Sequence, residues 1–140
     1  MKYLLDTNIC IHLFRGRYSI AECIEKHGWD NCCISEITKA ELLLWEELAI
    51  RKGKNVPQGA VGRFVSSSIE VIPISNGIEL FASEKARLLC LGTPIEDFDL
   101  LIACTAVSNN CVLVSENTKH LNRIQGLRIE NWVKRQAPRP

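Results

Sequence analysis

A chain of 140 residues can bury a core without disulfides or structural metal, and 46% hydrophobic with 24% charged residues is ordinary globular usage, which excludes disorder and a membrane-embedded protein. A formal net charge of +1 excludes global attraction to a polyanion, so a nucleic-acid partner must be held by local patches or through metal. Seven cysteines at irregular positions, with no Cys-x-x-Cys pair and with His12, His27 and His120 at no zinc-ligand spacing, read as small core hydrophobes.

The chain opens on Lys2-Tyr3-Leu4-Leu5, which briefly imitates a signal peptide. Asp6 and Asn8 break the apolar run and no small-residue cleavage site follows, so one cytoplasmic domain over residues 1–140 is expected. Residues 3–5 read as a strand with Asp6-Thr7-Asn8 at its carboxyl end, where open α/β sheets collect ligands and catalytic groups. Two readings of Asp6 are open on this segment: a chemical group, or a cap for the helix expected at 9–14.

A helix at 20–27 stops at His27-Gly28, a strand follows at 32–34, and a helix is expected at 36–50. Its apolar stripe is Ile37, Leu44, Trp45 and Leu48, with Glu41 inside the stripe and Glu36, Glu46 and Glu47 in solvent positions. A carboxylate aimed at a core needs a partner, a hydrogen bond or a cation; the alternative is a Glu at the stripe's exposed edge. Residues 51–59 carry Arg51, Lys52 and Lys54 among Gly and Pro and form the clearest loop.

A helix at 59–67, a strand at 71–74 and a helix at 76–91 come next. Lys85 shares a stripe with Ile78, Phe81, Ala82, Leu88 and Leu89. Either it steers phosphate or balances an acidic cluster, or its stem packs while the ammonium reaches water. After Gly92-Thr93-Pro94 a helix runs over 97–108 with Asp97 as its expected cap. Asp99 then lies in the first turn on the same face as Ile102, Ala103 and Ala106. A strand at 112–114 ends in Ser115-Glu116-Asn117, where Glu116 or Asn117 reaches the same cleft and Ser115 orients a ligand or begins a turn. A turn at 118–121, a strand at 127–129 and a flexible basic tail at 134–140 complete the order.

Strands alternating with helices predict a parallel sheet covered on both faces. Oxygen-bearing side chains from separate segments, with no His or Cys beside them, suit a hard divalent cation such as Mg²⁺ or Mn²⁺ and hence phosphate chemistry.

Leu4-Leu5-Asp6-Thr7-Asn8, then Ser35 and Glu41, Gly92-Thr93-Pro94-Ile95 with Asp99-Leu100-Leu101-Ile102-Ala103, and Val114-Ser115-Glu116-Asn117 form an ordered set that resembles the PIN-domain ribonucleases. Within them the chain looks most like the VapC-type toxins of bacterial toxin–antitoxin pairs. The resemblance implies an α/β three-layer sandwich with a five-stranded parallel sheet flanked by helices. It also implies Mg²⁺- or Mn²⁺-dependent hydrolysis of RNA by metal-activated water, a homodimer, and a cognate antitoxin. Residue by residue, Asp6, Glu41 and Asp99 match the three central acidic positions that hold metal and help activate water. Asn8 and Ser35 match polar supporting positions. The fourth acidic position is a departure, with Asn117 in its place and Glu116 one residue earlier; an amide still ligates through its carbonyl oxygen.

Two rival classes make different demands. Phosphotransfer through an aspartyl phosphate, in haloacid-dehalogenase-like enzymes, wants a second Asp two residues after Asp6, where Asn8 stands. A degenerate RNA- or partner-binding module would not need Asp6, Glu41 and Asp99 together.

Overall fold

Leu4 and Leu5 are both fully buried, and successive side chains of a strand leave on opposite faces, so the first strand needs cover on both sides. The computed structural model describes residues 1–55 and 58–135 and supplies that cover. The chain runs β1 (Lys2–Leu5), α1 (Thr7–Phe14), α2 (Ile20–His27), β2 (Cys32–Ser35), α3 (Glu36–Arg51), α4 (Ala60–Arg63), β3 (Glu70–Ile72), α5 (Ile78–Cys90), α6 (Asp97–Ser108), β4 (Cys111–Val114), α7 (Thr118–Leu121) and β5 (Ile129–Glu130). All strand pairs are parallel, and the five-stranded sheet has the order β3-β2-β1-β4-β5.

One core packs Leu4, Cys33, Cys111 and Leu113 against Leu88 of α5 and Leu100, Ile102 and Ala103 of α6. The other packs Leu5, Cys32, Ile34 and Val114 against Ile9 of α1, Ile24 of α2, Leu42 of α3 and Val61 of α4. The result is the expected three-layer α/β arrangement. Each fully buried aliphatic side chain contributes roughly 1.5–3 kcal/mol, so both layers are needed to hold the sheet. The cysteines are free; Cys10, Cys32, Cys33, Cys104 and Cys111 are buried as core hydrophobes, while Cys90 is exposed. Among the described residues no helix is long and apolar enough to cross a membrane.

Several local expectations need correction. Only part of the stripe expected on α3 faces the core: Ile37 and Trp45 pack against it, Leu44 and Leu48 are exposed, and Thr38, Leu42, Glu46 and Ala49 are buried. Glu46, expected in solvent, is buried because its carboxylate accepts the Val61 backbone N–H at 2.9 Å. On α5, Ile78 and Leu89 are likewise exposed, and Glu84 is buried through a two-pronged bond from Arg87 at 2.9 and 2.8 Å. The helix expected at 59–67 is shorter, with α4 giving way to a wide turn over Phe64–Ser68. Glu96, not Asp97, occupies the cap position of α6. Of the basic loop and tail, Val56, Pro57 and residues 136–140 lie outside the described residues.

The chain builds β2 and β3 on one side of β1 and β4 and β5 on the other. The crevice between the carboxyl ends of β1 and β4 is therefore a topological switch point, the usual ligand position in such sheets.

Candidate active site

Asp6 is the first residue past β1, and its backbone N–H continues the sheet by donating to the Val114 carbonyl at 2.9 Å. The cap reading of Asp6 holds, and only one of its two oxygens serves the cap. Oδ1 caps α1 by accepting the Thr7 N–H at 2.8 Å, and Oδ2 accepts the Ser115 hydroxyl, also at 2.8 Å. Burial pushes the Asp6 carboxyl above its ordinary value, and the Ser115 and Thr7 bonds oppose that rise.

Glu41 comes from the second turn of α3, a helix whose start is fixed by Ser35. The Ser35 hydroxyl is fully buried and accepts the Thr38 N–H at 3.1 Å, so its part is to set the helix that carries Glu41. Glu41 Oε1 accepts the Thr7 hydroxyl at 2.6 Å, and that hydroxyl lies 3.1 Å from the Thr38 hydroxyl. Thr7 thus joins α1 to α3 directly beneath the carboxylates. The sequence pattern marks Thr7 only as a possible cap, because its partners are 31 and 34 residues away.

Asp99 sits in the first turn of α6, above buried Ile102 and Ala103. Burial raises its carboxyl to about 6, with the charges of Asp6, Glu41 and Glu96 adding to the rise and His120 opposing it. Glu41 and Asp99 line one cleft, and Thr7, bonded to both Asp6 and Glu41, brings Asp6 into the same neighbourhood. The charges acting on Asp99 also bring in His120 and Glu96, which the sequence pattern does not single out.

Glu41, Lys85, Glu96, Asp97, Phe98 and Asp99 line an open cleft of about 450 Å³. Lys85 reaches into it, its ammonium 2.9 Å from Asp97 Oδ1 and donating to the Ile95 carbonyl at 3.1 Å. Its charge is therefore at the cleft wall, not in bulk water. Asn8 is exposed in the first turn of α1, and among the described residues no hydrogen bond joins it to the carboxylates.

On the far side, Ser115 is fully buried and accepts the Asn117 N–H at 3.0 Å while donating to Asp6. Asn117 is half-buried at the start of α7, and its side chain makes no capping bond there. Glu116 faces different partners: His12 Nε2 at 2.8 Å and Arg135 at 2.9 Å. Burial alone would raise Glu116, but these two bonds outweigh it and hold the carboxyl below its ordinary value.

Among the described residues no group of three or more His, Cys, Asp or Glu is arranged to hold a metal by itself. A Mg²⁺ site does not demand one, since that ion takes one or two protein carboxylates and keeps waters or substrate oxygens for the rest. The donors here fit such an ion: hard oxygens only, partly buried, with Asp99 raised to about 6 by burial and then by the charges of Asp6 and Glu41. A separate, mainly apolar cavity of about 410 Å³ lies elsewhere, between Phe14, Trp45, Leu48 and Ala60, rimmed by Arg15, Lys52 and Lys54 of the basic loop region.

The family model described as "PIN domain" matches residues 3–127. The chain is 31% identical over 133 residues to the tRNA(fMet)-specific endonuclease VapC of Salmonella typhimurium, covering 94% of this chain and 98% of that protein. It is 34% identical over 139 residues to Ribonuclease VapC2 of Rickettsia felis, covering 96% and 100%. The fold matches the crystal structure of VapBC2 from Rickettsia felis bound to a DNA fragment from their promoter, with a TM-score of 0.79, 32% identity, and 94% and 99% of the two chains covered.

Proposed function

The chain belongs to the PIN-domain family, within its VapC group, and from that premise we propose that it is a Mg²⁺- or Mn²⁺-dependent endoribonuclease acting as the toxin of a toxin–antitoxin pair. The observation that carries this reading is the approach of Asp6 and Glu41 to Asp99 at the switch point of the sheet, where burial first and the two neighbouring charges second raise Asp99 to about 6.

One or two of Asp6, Glu41 and Asp99 would bind the ion directly and the rest would reach it through its waters, with the Asn117 amide oxygen a further donor from the opposite wall. When bound, the ion supplies Lewis-acid polarisation of a phosphoryl oxygen and a lowered pKa for the attacking water. The residues' own work is orientation. A carboxylate has about four lone-pair sites; Ser115 and Thr7 each occupy one on Asp6, which fixes the group and leaves the remainder for a ligand. The Thr7 hydroxyl does the same for Glu41. Lys85 supplies the positive charge at the rim that an RNA phosphate meets on entry.

The partners that follow from this reading are an RNA substrate, a cognate antitoxin and a second copy of the chain. The Rickettsia felis relative was crystallised as VapBC2, which supports the antitoxin. The test is to incubate the purified protein with RNA in EDTA and then with Mg²⁺ or Mn²⁺. Cutting should occur only with metal. Cutting in EDTA would contradict metal dependence, and RNA binding without cutting in either condition would favour a binding module instead.

A further inference from the structure

The carboxylate of Glu116 stands one residue from the cleft yet is wholly engaged away from it. His12 Nε2 lies 2.8 Å from Oε1 and the Arg135 guanidinium 2.9 Å from Oε2. An ionised carboxylate only accepts, so the proton of the first bond sits on His12 Nε2. Arg135 also donates to the Tyr18 hydroxyl at 2.6 Å, and its guanidinium lies 4.9 Å from the centre of the Tyr18 ring. The Tyr18 ring in turn meets His12 edge-on, with centroids 4.7 Å apart. Four side chains from α1, the turn after it, the β4–α7 loop and the C-terminal segment therefore close a ring.

This ring is not explained by packing. His12 Nδ1 is buried with no hydrogen-bond partner, an unfavourable arrangement that an apolar side chain at position 12 would avoid. What the ring does reach is the site. Glu116 lies between Ser115, whose hydroxyl holds Asp6 Oδ2, and Asn117, whose N–H is held by that same Ser115 oxygen. Any shift of the Glu116 backbone moves both.

We propose that His12, Arg135 and Tyr18 clamp Glu116 so that the Ser115-Glu116-Asn117 loop keeps Asp6 and the Asn117 amide in place, which makes His12, Glu116 and Arg135 positioning residues. The proposal rests on the nuclease reading above and removes Glu116 from the candidate metal ligands. It also gives the C-terminal segment a task, since Arg135, expected in a flexible tail, is the outer jaw.

The test uses the full chain with Arg135→Ala, Arg135→Lys, His12→Leu and their double variant. Arg135 is mostly exposed, so its replacement does not threaten the fold. In Arg135→Ala and His12→Leu, Mn²⁺ affinity and kcat should each fall about tenfold, as is usual when a residue that orients a ligand is lost, while KM for RNA stays within about twofold. The double variant should be little worse than the poorer single one, because both act through Glu116. Arg135→Lys should recover part of the loss. In the metal-free protein, hydrogen exchange at the Asn117 amide should quicken in both single variants, a readout that stands even if the wild type cuts no RNA. Unchanged exchange and unchanged Mn²⁺ affinity would overturn the clamp. So would a raised KM alone, which would make Arg135 an RNA contact, or a larger loss of Mn²⁺ affinity in Glu116→Ala than in the double variant, which would make Glu116 a ligand.

Discussion

Asp99 is where burial and like charge meet. Its folded-state value of about 6 stands above the ordinary 3.8, so the native protein binds this proton more tightly than the unfolded chain does. Stability of the metal-free protein should therefore rise as pH falls from about 7 towards 4, and Asp6, also raised, pulls the same way. Glu84 and Glu116 are held low and oppose this only as pH falls below their ordinary 4.5. Thermal melts in EDTA should show a higher Tm near pH 5 than near pH 7, and Asp99→Asn should remove most of the difference. A Tm that falls over that interval, with no change in the variant, would contradict the account. Ser115→Ala is the complementary change: it removes the hydroxyl that Asp6 and the Asn117 N–H share. It should cost about 1–3 kcal/mol in a denaturant melt and weaken metal binding about tenfold in a calorimetric titration.

Among the elements, the strands and the acidic helix α6 were legible in the amino-acid order, because buried strands read as short apolar runs and Asp99 shares its face with residues that truly face the core. Helix α3 was less so. Its exposed Leu44 and Leu48 look like core residues, and exposure of apolar side chains is common enough that a stripe alone does not say which way a helix faces. The burial of Glu46 is hidden from the sequence for a different reason: its partner, the Val61 N–H, arrives from α4. The bridges Thr7–Glu41 and His12–Glu116 span 34 and 104 residues, and no local pattern encodes them. Two measurements probe this level. Glu46→Ala should strand the Val61 N–H and lower stability by about 1–3 kcal/mol, read by chemical denaturation, while leaving RNA cleavage by the folded protein unchanged. Gly77→Ala would place a Cβ 3.0 Å from the Thr105 nitrogen and 3.1 Å from the Cys104 carbonyl carbon, pressing the start of α5 away from α6. The expected loss is about 1–3 kcal/mol in the same assay, since backbone has to move.

For the whole molecule, the topology assembles the site. Parallel strands that reverse direction of build between β1 and β4 leave a crevice at their carboxyl ends, and the chain has put Asp6 and Ser115 on its two lips. Glu41 rides on α3, which packs Leu42 into one core and Ile37 against the other, and Asp99 rides on α6 in that other core, so the two come near each other only when both layers are packed. A net charge of +1 leaves the acidic cleft without a global field to draw RNA in, and the cation it would hold is what reconciles acidic side chains with a polyanionic substrate. The most direct measurement is single-turnover RNA cleavage at saturating Mn²⁺ by the wild type and by Asp99→Asn, with the fold of both checked by circular dichroism. The account predicts metal-dependent cutting by the wild type and a loss of at least about a hundredfold in the folded variant. Equal rates in the two proteins would contradict it.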